Sequence, residues 1–341
     1  MQFRLKPHLS RSAAILAACL AGLAGQAGAQ GDPARPAALV VAYPEGGTGT
    51  IIGQPLAERL SQILGRRVTL EYRAGASGAS GAQSVARAAP DGSTLLLGQT
   101  GELVINRHLV KDLGYDPERD FQPVATVALI PLALVVRADA PFGTVDELLK
   151  AARASKRGLT FSSGGPGTTA QFAGELLRLR SAARLVHVPS DGAAAALRAV
   201  LDGQVDFYFA PLPTALPAIK EGKLKVLAVS LPSRAQTLPA VPTMAEAGFR
   251  DITLSAWITI LAPRDTPANI VQTWNSAVNQ ALGESELRDR LTAAGAEVSP
   301  RSPQQTGAFI RDESARYLSV ITEEFCSHFG YGGCAGYGVY E

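Results

Sequence analysis

Phe161-Ser-Ser-Gly-Gly-Pro-Gly-Thr-Thr-Ala-Gln171 leads from a strand-like run, through glycines and hydroxyls, into a capping box at Thr168-x-x-Gln171. A turn of this kind aims unpaired backbone N–H groups and the positive end of a helix dipole at one point, which suits an anion. The device recurs along the chain. Tyr43-Pro-Glu-Gly-Gly-Thr-Gly-Thr50 follows an apolar run at 38–42, and Gly75-Ala-Ser-Gly-Ala-Ser-Gly81 ends in a second box, Ser80-x-x-Gln83. Val188-Pro-Ser-Asp-Gly192 follows a run at 185–188. One such loop could be an ordinary βα connection with its cap. Several, all built of small residues that allow close backbone approach, point to a binder of small anions.

Short apolar runs alternate with amphipathic stretches, the pattern of βα units and mostly parallel sheets. Strands are expected at 38–42, 67–71, 94–98, 121–127, 133–137, 160–162, 185–188, 207–210, 225–230 and 255–262. Capping boxes at Thr144-x-x-Glu147 and Thr243-x-x-Glu246 mark further helix starts. Thr266-Pro267 and Ser302-Pro303 introduce two C-terminal helices at 267–282 and 303–322. No repeat or low-complexity linker precedes Glu323.

Residues 1–29 read as a signal peptide. Arg4, Lys6 and Arg11 form the basic region, 12–23 the apolar region, and Ala27-Gly28-Ala29 the cleavage site. Leu16-Ala-Ala-Cys19 has the residues of a lipoprotein box, but cleavage there leaves about five apolar residues against the usual ~7–15. Export to the periplasm is therefore expected. Cleavage removes three positive charges and no negative ones, so the net of +2 becomes −1. With no block of like charge, nucleic acid is not an expected partner. The remaining length exceeds what one core usually supports, so two lobes are expected. Cys326 and Cys334 lie in a glycine- and tyrosine-rich tail, 323–341, expected to be poorly ordered. Two readings of that pair stand, a disulfide or two free thiols.

The motifs of common enzymes are missing. Neither the Gly46 loop nor the Gly164 loop has the lysine of a P-loop, and Gly75, Gly78 and Gly81 are spaced wrongly for a dinucleotide fingerprint. No G-x-S-x-G elbow occurs. His187, inside Arg184-Leu-Val-His-Val188, reads as a strand residue satisfied by hydrogen bonding rather than a general base. No Cys/His cluster suggests a metal, and no cofactor is expected.

A succession of short motifs then resembles one family. These are Tyr43-Pro-x-Gly-Gly, Glu71-Tyr-Arg-Ala-Gly-Ala76, Ala86-Arg-Ala-Ala-Pro-Asp-Gly92 and Tyr115-Asp-Pro-x-x-Asp-Phe121. Next come Ser162-Ser-Gly, Val186-His-Val-Pro189, Leu201-x-Gly-Gln-Val-Asp206, Leu216-Pro-x-Ile-Lys220, Gly222-Lys-Leu224 and Leu227-Ala-Val229. Leu238-Pro-x-Val-Pro-Thr-x-x-Glu-Ala-Gly248, Trp257 and Leu261-Ala-Pro263 complete the order. It is similar to the Bug-type, TctC-like extracytoplasmic solute receptors of tripartite tricarboxylate transporters, over about residues 36–322. The resemblance implies an α/β, two-lobed periplasmic binding protein, each lobe a doubly wound, mostly parallel sheet that closes like a flytrap. Lobe one would comprise 30–127 and 254–322, and lobe two 128–253, joined by crossing strands near Val127 and Ser255.

The resemblance also implies a site that holds a carboxylate by amides, hydroxyls and water. From lobe one it would take Tyr43, Gly46, Gly47, Thr48 and Thr50, with Gly78 and Ser80 nearby. From lobe two it would take Ser162, Ser163, Gly165, Thr168, Thr169, Pro189, Ser190, Asp191, Asp206 and Ala210. The implied role is that of a monomeric receptor delivering its ligand to membrane permease subunits; a sensor presenting its closed form to a signalling protein uses the same fold. Three positions depart from the family pattern. Thr50 replaces an aspartate, Ser190-Asp191 replace Tyr-Lys, and Ala210 replaces an aspartate or asparagine. Asp191 is expected to disfavour a second carboxylate beside it. Because Pro55 would clash with the Ile51 carbonyl, the first helix is expected to start near Gln54–Pro55.

Overall fold

The computed structural model describes residues 35–110 and 112–321. The signal segment with Cys19 and the tail with Cys326 and Cys334 lie outside the described residues. In the first half-sheet, β1 (Ala37–Val41) runs parallel between β2 (Val68–Tyr72) and β3 (Thr94–Gln99). Every residue of β1 is buried, as suits a strand covered on both faces. β4 (Phe121–Arg137) lies further out, because β9 (Ser255–Pro263) inserts antiparallel between it and β3. In the second half-sheet, β5 (Leu159–Ser163) runs parallel between β6 (Leu185–Pro189) and β7 (Phe207–Pro211). β7 and β8 (Leu224–Val229) pair antiparallel with the end of β4, and β10 (Glu297–Val298) pairs with its middle.

β4 therefore joins the halves. It merges the two strands expected at 121–127 and 133–137, because the intervening Ala128, Ile130 and Leu132 are fully buried. Its prolines fall where a ladder bond can be given up. Pro123 sits at a bulge, and Pro131 sits where pairing passes from β9 to β7, beyond Val127.

Helix α1 (Thr48–Leu64) starts six residues before the position expected from Pro55, which lies inside it. Packing overrides the proline. Ile52, Leu56 and Leu60 are fully buried, contributing roughly 1.5–3 kcal/mol each against ~3 kcal/mol for an interior proline. Gly49 and Gly53 let the first turns lie on the sheet, where a Cβ would come within 2.7 Å of Val41 and 2.6 Å of Leu97. Helix α2 (Ala79–Ala86) begins at Gly78, not at a Ser80 cap. Ala76 and Ser77 turn left-handed, and the Ser80 amide donates to the Gly75 carbonyl, so Ser80 falls inside the helix.

Helix α3 (Asn106–Leu109) and α4 (Val145–Ala154) follow, the latter capped by Thr144 as expected. In the second half-sheet α5 (Thr169–Ser181), α6 (Ala193–Leu201) and α7 (Leu212–Lys220) each leave the end of a strand. The Thr243–Glu246 box forms, with bonds of 3.0 and 2.7 Å, but no helix grows from it before Gly248 turns left-handed. Three C-terminal helices replace the expected two, α8 (Ala268–Gly283), α9 (Ser285–Ala293) and α10 (Pro303–Val320). Ser302 and Gln305 make a complete capping box for the last.

Candidate functional site

Parallel strands followed by helices place the helix starts at one edge of a sheet. Here the two half-sheets turn these edges toward each other across a cleft. From the first half, Tyr43, Pro44, Gly47, Thr48 and Gly49 line it, with Gln99, Thr100 and Gly101 beyond β3. From the second come Gly164, Thr168, Thr169, Ala170, Ala193, Tyr208 and Pro211, while Leu132 and Ala256 lie where the halves join. The starts of α1, α5, α6 and α7 thus converge, and among the described residues no arginine, lysine or histidine lines the cleft.

The loops are tied down by their own hydroxyls, which leaves main-chain donors for a ligand. The Gly46 amide donates to Thr50 Oγ1 (2.9 Å), closing the turn before α1. Thr168 Oγ1 accepts from the Gln171 amide and donates to the Gly165 carbonyl at 2.8 Å, and Gln171 Oε1 accepts from the Gly167 amide at 2.7 Å. The amides of Thr169 and Ala170, first in α5, have no intrahelical acceptor. The hydroxyls of Thr48 and Thr214 meet across the cleft floor at 3.2 Å, linking α1 to α7.

Tyr43 and Glu102 form a polar cluster beside the cleft. The Tyr43 hydroxyl donates to the Ser77 carbonyl at 3.2 Å, which also accepts from Asn106 Nδ2 at 2.9 Å. Glycine is needed at Gly101, because a Cβ there would stand 2.4 Å from the Tyr43 hydroxyl. Glu102 is wholly buried; its Oε1 accepts from the Gln99 amide (2.7 Å), and it pairs with no cation among the described residues. Burial pushes its carboxyl up to about 8. Burial first, then the nearby Glu102 charge, raises the Tyr43 phenol well above its ordinary value.

The residues singled out in the sequence divide into three groups. Tyr43, Gly47, Thr48, Thr168 and Thr169 line the cleft. Gly46, Thr50, Gly78, Ser162, Ser163, Gly165 and Ser190 support it. Gly78 makes room for the Tyr43 ring. Ser162 bonds the Val188 carbonyl and Ser190, and Ser163 bonds Gly165 and, at 2.7 Å, His187 Nε2. Ser80, Pro189, Asp191, Asp206 and Ala210 do not reach the cleft. Ser80 opens on a neighbouring hollow with Asn106 and Gln171, and Pro189 and Asp191 are exposed. Asp206 accepts from the Thr160 amide and hydroxyl (2.7 and 2.9 Å) at the opposite end of β5. Ala210 is buried in the pairing of β7 with β4.

Sequence reasoning passed over Gln99-Thr100-Gly101, although a glycine and a hydroxyl after a strand are the same signal used elsewhere. It also passed over Tyr208, Leu132 and Ala256, whose placement depends on strand pairing. His187 is a strand residue bonded to a serine hydroxyl, and burial lowers its imidazole to about 4. Ser163 itself is fully buried beneath the cleft. No three His, Cys, Asp or Glu side chains cluster to hold a metal, and no helix is long and apolar enough to cross a membrane, among the described residues.

Residues 52–325 match the family model described as the tripartite tricarboxylate transporter family receptor. The chain belongs to this receptor family. Among curated relatives, the protein BugT of Bordetella pertussis is 33% identical over 304 residues, 89% of this chain and 93% of BugT. A protein encoded in the tcbD–tcbE intergenic region of Pseudomonas sp. strain P51 is likewise 33% identical, covering 85% of this chain and 87% of that one. Among solved structures, R. palustris Rpa4515 with adipate shares 34% identity at a TM-score of 0.82, covering 85% of this chain and 97% of that one. MatC from Rhodopseudomonas palustris, with bound malate, shares 32% at 0.81, covering 85% and 100%. The periplasmic binding protein BugD shares 28% at 0.81, covering 85% and 98%. This TctC-type receptor therefore has the two-lobed α/β fold of periplasmic solute-binding proteins, and carboxylates occupy solved relatives.

Proposed function

We propose that the protein is an exported receptor that captures a small organic carboxylate between its lobes and hands it to the membrane subunits of a tripartite transporter. One observation carries the reading: helix starts from both half-sheets converge on a cleft that no cationic side chain lines among the described residues. Main-chain amides at helix starts stabilise an anion without a salt bridge. The relatives solved with adipate and malate are of the same chemistry.

In this reading the open protein, acting as a monomer in the periplasm, takes the carboxylate on one lobe. Closure then brings the second lobe's amides onto it. The lobes would be residues 30–127 with 254–322, and 128–253, hinged where β4 changes partner and the chain returns into β9. The ligand holds the closed state by its extra affinity for that state. Closed receptor, rather than free solute, would be what the permease recognises.

Thermal-shift measurement of the purified protein against a library of organic acids, sugars and amines tests the reading. A carboxylate at about 100 times its Kd adds ~2.7 kcal/mol to the folded state and raises Tm by several degrees. If only uncharged or cationic solutes raise Tm, the reading is wrong.

A further inference from the structure

The cleft has a donor-rich side and a donor-poor side. The first turns of α1, α5 and α6 bring main-chain N–H groups. α7 also starts at the cleft, but Pro211 is its N-cap and Pro213 its second residue, so two leading donors are missing. Leu132, Pro211 and Ala256 make the adjoining surface apolar.

Against that side stands Tyr208, the second residue of β7, paired with Ser162 near the end of β5. Its side chain is 0% exposed and lines the cleft, yet its hydroxyl has no hydrogen-bond partner among the described residues. A buried hydroxyl without a partner is costly, and buried polar groups without one call for an explanation. Burial alone raises this phenol well above its ordinary value, so it keeps its proton and can donate. The hydroxyl of Ser162, its partner on β5, does not take that hydrogen bond, being engaged with the Val188 carbonyl and Ser190.

We infer that Tyr208 reads the second end of the ligand, so that the solute is an organic acid carrying an uncharged oxygen acceptor besides the carboxylate held at the helix starts. The inference rests on the carboxylate reading above and narrows it to hydroxy, oxo or ether acids. A second carboxylate fits this side poorly. It would meet a largely apolar surface, and among the described residues no Arg, Lys or His lines the cleft to offset its desolvation. A plain alkyl end would leave the phenol unpaired.

Calorimetry on the wild type and Tyr208→Phe, with hexanoate, 6-hydroxyhexanoate and adipate and the corresponding sets of shorter and longer chains, tests this. At the length that fits best, the hydroxy acid is expected to bind the wild type roughly tenfold more tightly than the plain acid or the dicarboxylate. Tyr208→Phe should erase that preference and leave the plain acid within about twofold. Without ligand, the variant should melt no lower than the wild type, since an unpaired hydroxyl is removed. A hydroxy-acid preference that survives in Tyr208→Phe overturns the inference, as does a dicarboxylate that binds tightest with or without the phenol. Equal binding of all three forms also overturns it while the receptor reading stands. If none of the acids binds, both fall.

Discussion

The two corners at which α5 and α7 leave their strands differ in one respect that divides the cleft. At α5, Thr168 caps the helix with its side chain and the next amides face the ligand space. At α7, prolines occupy the N-cap and second positions, and the nearest donor is a tyrosine hydroxyl. Both corners follow strands of the same half-sheet and both orient a helix dipole toward the cleft. The difference lies in which N–H groups survive. A helix start becomes an anion site through its donors, and two prolines suffice to turn one into an apolar wall.

Making the α5 corner resemble α7 should have the largest effect on binding. Thr168 is extended (φ −86°, ψ 150°), a conformation compatible with a following proline, and proline is tolerated at the first position of a helix. Thr169→Pro is therefore expected to fold and to lose roughly 10–150-fold in carboxylate affinity by calorimetry, the worth of one hydrogen bond to a charged group. Unchanged affinity would mean that the α5 amides do not hold the anion.

Glu102 lies behind the cleft, buried without a cation among the described residues, and a carboxyl so placed needs its proton. Its value of about 8 lies above that in the unfolded chain, so its contribution is fully present below about pH 4.5 and is lost as pH rises to about 8. Glu102→Gln keeps the oxygen that accepts from Gln99 and removes the titration. Tm at pH 8 should rise by several degrees over wild type, with a small difference at pH 4.5. A Tm that falls equally at both pH values would show that the carboxylate is stabilised in place.

Ala193→Pro makes the same donor deletion at α6, where the preceding Gly192 (φ 89°, ψ 166°) lies outside the α region that a following proline excludes. The side chain stays small, and the expected loss is about tenfold at unchanged Tm. The smallest effect belongs to Asp191, exposed on the shoulder of α6 and not among the cleft residues. Asp191→Lys should change affinity for a dicarboxylate by less than about threefold, the size of a screened surface interaction. A larger gain would place that side chain at the ligand.

How much of this was legible depended on whether the cause was local. The corners at Gly46–Thr50 and Ser162–Thr169 could be read directly, because capping boxes and small residues obey rules spanning a few positions. Pro55 misled for the same reason: a local rule set the helix start at Gln54–Pro55, whereas burial of Ile52, Leu56 and Leu60 moved it to Thr48. Asp206 and Tyr208 show the limit most clearly. Two residues apart in sequence, one bonds Thr160 at the start of β5 and the other faces the cleft at its far end. Strand pairing decides which end is which, and pairing is not written in either residue.

A crystal structure grown with a carboxylate that raises Tm would locate the anion directly. One carboxylate group is expected in the cleft, its oxygens about 2.7–3.2 Å from amides at the starts of α1, α5 or α6. A ligand seated elsewhere, or one gripped chiefly by arginine or lysine side chains, would contradict this.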